Sequence, residues 1–312
     1  DIDHVKRLEQ AYSEHGAEQS ESKRVRFEQE FVARGTTISG RRGRVSVDIY
    51  KRRKISRLVF TVAARGKASK ALMRSLTGSL VHPYMHRRIL MSNLSSTYRF
   101  IESMKESEEV RLPADVVDEL IMSFVLLPFA FTNIRAEAST TVSATDATNL
   151  RGGACRALVP ERLSRSLLRR AEQRGEHGRL RWSDLEIRLL PSRMREPTPE
   201  IDSLVRSLPW HTPRSFELGA VFHINIQELR ALVDEVDSRI RGGLAVARLI
   251  VFVDSRVVVS AVAKGRNSAR QLNLHLRRLA ALCLGAEIGV HVIWVGTESN
   301  PADCPSRQRP LP

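Results

Sequence analysis

Apolar positions recurring at three- and four-residue steps mark the clearest helix of the chain, residues 225–240. There Leu229, Leu232, Val233, Val236 and Ile240 share one face. The same period predicts helices over 5–15, 68–80, 82–105, 113–127, 257–263 and 267–284, with Pro113 at a position where a first helical turn tolerates it. Other segments read as extended. Residues 139–144 are rich in Thr, Ser and Val, 154–159 form a second strand and 216–223 a third, with Arg151, Gly152 and Gly153 read as the turn between the first two. Residues 248–254 are a nearly continuous apolar run ending in a carboxylate, the pattern of a strand covered on both faces. A last strand spans 288–295, and 300–307 is a short helix or turn. An Arg-rich stretch, 161–195, helical at first, and a Pro-spaced segment up to Pro213 interrupt the series. From about Ser139 the order is therefore βββαβααβα, whereas residues 54–127 are mostly helical.

Composition narrows the classes open to this pattern. A chain of 312 residues with 42% hydrophobic content can bury two cores. Its 50 Lys and Arg against 35 Asp and Glu give a formal net charge of +15, which points to a polyanionic partner. A membrane surface exploits the same charge, but the longest apolar run, 120–131, is too short to span a bilayer and is broken by Pro128. No membrane partner is expected. The chain starts at Asp1 without an initiator Met or a signal peptide, as an excised fragment of an intracellular protein, cytoplasmic or nuclear, would. Cys155, Cys283 and Cys304 are scattered and form no CxxC pair, so they read as packing residues in a reducing compartment. Aromatics are 5% of residues, too few for base-stacking platforms to dominate binding.

The candidate chemistry lies in four acids. Asp146 closes the first strand, Glu228 sits in the first turn of the amphipathic helix, Asp254 ends the apolar strand and Asp303 follows the last strand. If the first and fourth strands lie side by side, the ends carrying Asp146 and Asp254 approach each other, and helix N-termini packed over that edge add Glu228 and Asp303. Carboxylates gathered without a basic partner repel one another unless divalent cations neutralise them. Oxygen-only ligands favour Mg²⁺, with Mn²⁺ as a substitute. Two such ions about 4 Å apart activate a water and stabilise the leaving oxygen of a phosphodiester.

The residues around these acids carry a resemblance. Thr145-Asp146-Ala147-Thr148 with Gly152-Gly153-Ala154 resembles the first-strand motif of ribonuclease H domains in retroelement reverse transcriptases. His223-Ile224-Asn225-Ile226-Gln227-Glu228-Leu229 is similar to their helix-opening Glu motif, Phe252-Val253-Asp254-Ser255 to their third acid, and Asn300-Pro301-Ala302-Asp303-Cys304-Pro305-Ser306-Arg307 to their closing segment. Upstream, 23–40 resembles the end of a polymerase palm, and 82–101 the thumb and connection region. The resemblance implies an α/β fold: a ribonuclease H-like mixed five-stranded sheet with flanking helices, preceded by a mainly helical thumb/connection region. It divides the chain into a palm remnant (1–55), a thumb/connection region (56–138) and a ribonuclease H-like domain (139–312) with an insertion at about 161–213. It implies Mg²⁺-dependent endonucleolytic cleavage of the RNA strand of an RNA/DNA hybrid. Asp146, Glu228, Asp254 and Asp303 would act as catalytic and metal-binding residues for two Mg²⁺ ions, within a larger reverse transcriptase polyprotein. No Tyr-x-Asp-Asp string occurs, so no polymerase activity is expected of this chain alone.

Each acid taken singly also reads as an ordinary solvated group, and only their order and local motifs set them apart. Arg256, Lys264, Arg266, Arg270 and Asn300 are candidate nucleic-acid contacts. A solvated face opposite Leu272, Leu276, Leu279 and Cys283 explains the basic helix as well. Asn225 reads as an N-cap and His291 as structural. Relatives often carry a His in the loop before the last acid, whereas Gly296-Thr297-Glu298-Ser299 has none. Two rivals remain: a non-catalytic nucleic-acid-binding remnant of a decayed element, and a DNA-acting nuclease or integrase on the same fold.

Overall fold

The computed structural model describes residues 2–17, 25–106, 108–175, 198–219 and 222–311. Helix α1 (Ile2–Glu14) buries none of its residues. Strands β1 (Glu30–Ala33), β2 (Thr36–Ser39) and β3 (Arg44–Val47) then form an antiparallel meander. Periodicity does not reveal these four-residue strands. Helix α2 (Ile49–Arg65), capped by the Asp48 carboxylate and closed by the left-handed Gly66, opens the helical region. It is followed by β4 (Lys67–Ser69), α3 (Lys70–Tyr84), a 3-10 segment (Arg88–Leu94), α4 (Ser95–Ser103), β5 (Glu109–Arg111) and α5 (Ala114–Leu126). The single helix expected over 82–105 is thus two pieces. Val59, Met73, Leu76, Leu80, Leu94 and Leu120 share the core of this region. Strand β6 (Phe131–Asn133) returns to pair with β3, so the last residues before 139 complete a sheet begun at residue 30.

From there the chain builds a mixed sheet. A two-residue strand, β7 (Glu137–Ala138), leads into β8 (Thr141–Ala147), then β9 (Arg151–Leu158), α6 (Glu161–Arg170), α7 (Pro199–Ser207) and β10 (Trp210–Glu217). Next come α8 (Ile224–Arg241), β11 (Ala247–Val253), α9 (Arg256–Lys264), α10 (Arg270–Gly285), β12 (Gly289–Trp294) and α11 (Asp303–Ser306). The strand order is β10-β9-β8-β11-β12, antiparallel from β10 to β8 and parallel from β8 through β12. The first and fourth strands of the domain are therefore neighbours, as the acids require. One face packs Leu229, Leu232, Val236, Leu272, Leu276 and Leu279 against β11, and the other packs Leu167, Ile201 and Val205 against Cys155, Ile250 and Phe252.

Two readings need correction. Gly152 and Gly153 lie inside β9 and are not a turn; the hairpin closes at 148–150, where Thr148 Oγ1 accepts from the Arg151 N–H. Both glycines are required by crowding. A Cβ on Gly152 would stand 2.4 Å from the Phe216 ring, and one on Gly153 2.4 Å from the backbone N of Ser306. The third strand is 210–217, not 216–223. It is a half-exposed edge strand with an irregularity between His211 and Arg214, where Pro213 is tolerated because no inner ladder bond is lost. Part of the expected insertion, residues 176–197, lies outside the described residues, as does Lys23.

Candidate metal centre

Asp146 is the next-to-last residue of β8, Asp254 follows the end of the parallel neighbour β11, and Glu228 projects from the second turn of α8. The oxygens of the three lie within 4.8 Å of one another. Asp146 and Glu228 are 5% and 6% exposed, so the cluster is set into the protein. The N-cap of α8 is the His223 ring, which accepts from the Asn225 N–H; Asn225, expected to be the cap, instead accepts from Ser255 Oγ.

Electrostatics mark the cluster as under-compensated. Burial, then the nearby Asp146 and Asp254, pushes the Glu228 carboxyl well above its ordinary range. Burial raises Asp146 to about 6, opposed by a hydrogen bond from Ser306 and reinforced by Asp254 and Asp303. Asp254 is raised by burial and drawn partly back by hydrogen bonds, Thr297 and Asn300 among them. Glu228 Oε2 and Asp254 Oδ1 are buried with no hydrogen-bond partner. Unpaired buried carboxylate oxygens facing one another are the donor set a hard divalent cation needs. Asp146, Glu228 and Asp254 thus fit Mg²⁺ or Mn²⁺.

The fourth acid stands apart. Asp303, half-buried at the start of α11, is outside the group of three and accepts from Arg307 Nε at 2.7 Å. The predicted nucleic-acid contacts also separate. Arg256 stands with its guanidinium 4.0 Å over the Trp294 ring, and the Trp294 indole N–H donates to the Asp254 carbonyl, so Arg256 is tied to the cluster's rim. Lys264 lies at the other end of α9, while Arg266 covers the Tyr98 ring of the upstream helical region at 4.3 Å. Arg270 is exposed at the start of α10. Asn300 is buried, donates to the Thr145 carbonyl, accepts from the Ala302 N–H and also supports Asp254, so it shapes the loop and the cluster from within. His291, read as structural, is pushed down to about 4 by burial.

Sequence reading missed three supports: Ser306, whose hydroxyl donates to Asp146 Oδ2 at 2.5 Å, Thr297 and Trp294. Only Ser306 left a signal, its place three residues after Asp303 in the closing motif.

No family model matches the chain, and no curated protein matches it. Several solved structures are similar, two of them as follows. An N-terminal RNase H domain from Mycobacterium tuberculosis, solved as a fusion with maltose-binding protein, shares 14% identity at a TM-score of 0.30, over 54% of this chain and 92% of that one. The foamy viral protease-reverse transcriptase in complex with an RNA/DNA hybrid shares 10% identity at 0.34, over 98% of this chain and 56% of that one. This chain thus spans about half of that viral protein's chain. The fold is ribonuclease H-like. That statement rests on the sheet itself: five main strands in mixed order, with the two-residue β7 added beside β11, the strands carrying Asp146 and Asp254 adjacent, and helices on both faces.

Proposed function

We propose that this chain is the C-terminal part of a retroelement reverse transcriptase and cleaves the RNA strand of RNA/DNA hybrids endonucleolytically with Mg²⁺. The observation that carries the reading is the convergence of Asp146, Glu228 and Asp254 with two orphaned oxygens and, among the described residues, no salt bridge to any of the three. Asp146 and Asp254 would anchor the ions, and Glu228 would hold one and help orient the scissile 2′-hydroxyl. Bound divalent ions would supply Lewis acidity, lowering the pKa of a water and neutralising charge on the phosphodiester. Asp303, exchanging Arg307 for a cation, would complete the set. Arg256, held over Trp294 at the rim, would meet a backbone phosphate, and Arg270 would lie further along the same strand. Residues 56–138 would serve as thumb and connection, a reading supported by the helical core from Ile55 to Ala130, and 1–55 as the palm remnant, its strands joined to the thumb side through β6.

A labelled hybrid incubated with Mg²⁺ and then Mn²⁺ tests this beside Asp254→Asn. RNA-strand cleavage that vanishes in the variant is expected, and activity that survives Asp254→Asn overturns the assignment. Tight hybrid binding without cleavage in either metal would mark a binding remnant, a rival favoured by Thr297 standing in the loop where relatives carry a His. Cleavage indifferent to a 2′-deoxy scissile position would mark a DNA-acting nuclease instead.

A further inference from the structure

At the opposite end of the mixed sheet from the carboxylates lies a cleft of about 890 Å³, between the β6–β7 segment, the residues after α3, α6 and the start of β12. Arg248 is the second residue of β11 and Asp254 follows its end, so the two sites are separated by about 20 Å along an extended strand. Six arginines line the cleft: Arg87, Arg88, Arg135, Arg165, Arg169 and Arg248. Three carboxylates share the walls, of which Glu172 caps the Arg174 and Gly175 N–H groups and Glu287 accepts from Asn133 Nδ2.

Four of the arginines are held by carbonyls and not neutralised, and Arg169 is exposed. Among the described residues only Arg165 makes a salt bridge, with Glu161. Arg87 donates to the Cys283 carbonyl at 2.6 Å, Arg88 to the Gln173 carbonyl, Arg135 to the carbonyls of Gly40 and Arg41 at 2.8 Å, and Arg248 to those of Asn133 and Ile134. Carbonyl bonds fix a guanidinium's position and leave its charge and remaining N–H groups for an anion, the arrangement suited to phosphate. The volume is in the range that holds a drug-sized ligand, so a few linked nucleotides enter and a double helix does not. The one aromatic wall residue outside the histidines, Phe131, already has the guanidiniums of Arg44 at 4.0 Å and Arg87 at 5.9 Å from its ring centroid, so it is a poor stacking platform for a base. Recognition is therefore of backbone, not of base identity.

We infer that this cleft is a second nucleic-acid site, which takes the phosphodiester backbone of a single strand without sequence preference. The inference is independent of cleavage at the carboxylates. It is tested with the full chain in EDTA, by anisotropy of a labelled oligothymidylate of about ten nucleotides across a salt series. Arg165→Gln/Arg169→Gln removes two lining charges from the exposed side of α6. Arg162→Gln/Arg170→Gln removes two charges from the same helix outside the lining. The lining pair should weaken binding about tenfold and flatten the salt slope by about 1.4, with less than about twofold loss in the outer pair. Equal losses in both pairs, or none in the lining pair, overturn the inference. So does displacement by oligoglutamate of equal charge at the same concentration, which would mean any polyanionic chain is accepted. EDTA withholds the divalent ion that cleavage requires and the two variant pairs lie far from the carboxylates, so failure of the cleft and failure of the nuclease reading are read separately.

Discussion

Two glutamates seven residues apart on one helix have opposite fates. Glu235 and Glu228 both project from α8 and are both buried. Glu235 accepts from Ser143 Oγ and Arg156 Nε at 2.8 Å through one oxygen, and from Arg214 Nη1 at 2.8 Å through the other. Every lone-pair direction is used, and the residue ties β8, β9 and β10 to the helix. Glu228 faces Asp146 and Asp254, and its Oε2 has no partner. A buried carboxylate saturated by guanidiniums is a structural fastening, whereas one gathered with its own kind is unfinished without a cation. Burial alone does not separate the two; the sign of the neighbours does.

The contrast is broken most easily at Glu235. Glu235→Gln strands the Arg156 guanidinium and leaves Arg214 with Asp234 alone, and should cost about 3 kcal/mol in chemical denaturation, the low end for a broken buried pair because both arginines still reach water. Glu228→Gln relieves repulsion and should leave stability unchanged or raised. Equal losses in the two variants would erase the distinction. A pH series sharpens it next. The fold raises Asp146 from its ordinary 3.8 to about 6, so its contribution is full below about pH 4 and is lost as pH rises through 6. Without divalent ions, the wild type should therefore lose about 2 kcal/mol relative to Asp146→Asn between pH 4 and 7, and Mg²⁺ should recover part of that at pH 7. Parallel pH curves would contradict it.

Smaller effects probe how the cluster is held. Gly153→Ala drives a methyl into the backbone of Ala302 and Ser306, and should cost about 1–2 kcal/mol while shifting α11 away from Asp146. Loss of stability with unchanged Mn²⁺ affinity would show that α11 does not hold the site. Ser306→Ala removes the hydroxyl that orients Asp146 and should weaken Mn²⁺ binding about tenfold with little change in stability. Unchanged affinity would make Ser306 a bystander.

Much of the nuclease-like half was legible because its signals are local. The apolar run ending at Asp254 and the stripe of α8 each report burial by residues adjacent in sequence, and both fall within a residue or two of the observed elements. What failed was set by distant partners. Gly152 and Gly153 look like a turn unless the Phe216 ring and α11 are known to press on them. Glu235 looks like any polar-face residue until Arg156 and Arg214 arrive from two other strands. Asp303 lies in a matching motif, yet its carboxylate is paired with Arg307 four residues on and stands outside the group of three. The short strands 30–47 carry too few residues for a period to show, and their pairing is completed by β6 from the far side of the helical region.

The central claim is that the unpaired carboxylates, and not the paired one, are the working centre. It is tested most directly by RNA-strand cleavage of an RNA/DNA hybrid in Mg²⁺ by Glu228→Gln and Glu235→Gln, each corrected for its folded fraction. Cleavage should fall more than about a hundredfold in Glu228→Gln, beyond the usual loss for an outer-shell partner of a metal ligand, and stay near wild type in Glu235→Gln. Wild-type cleavage by Glu228→Gln would contradict the account.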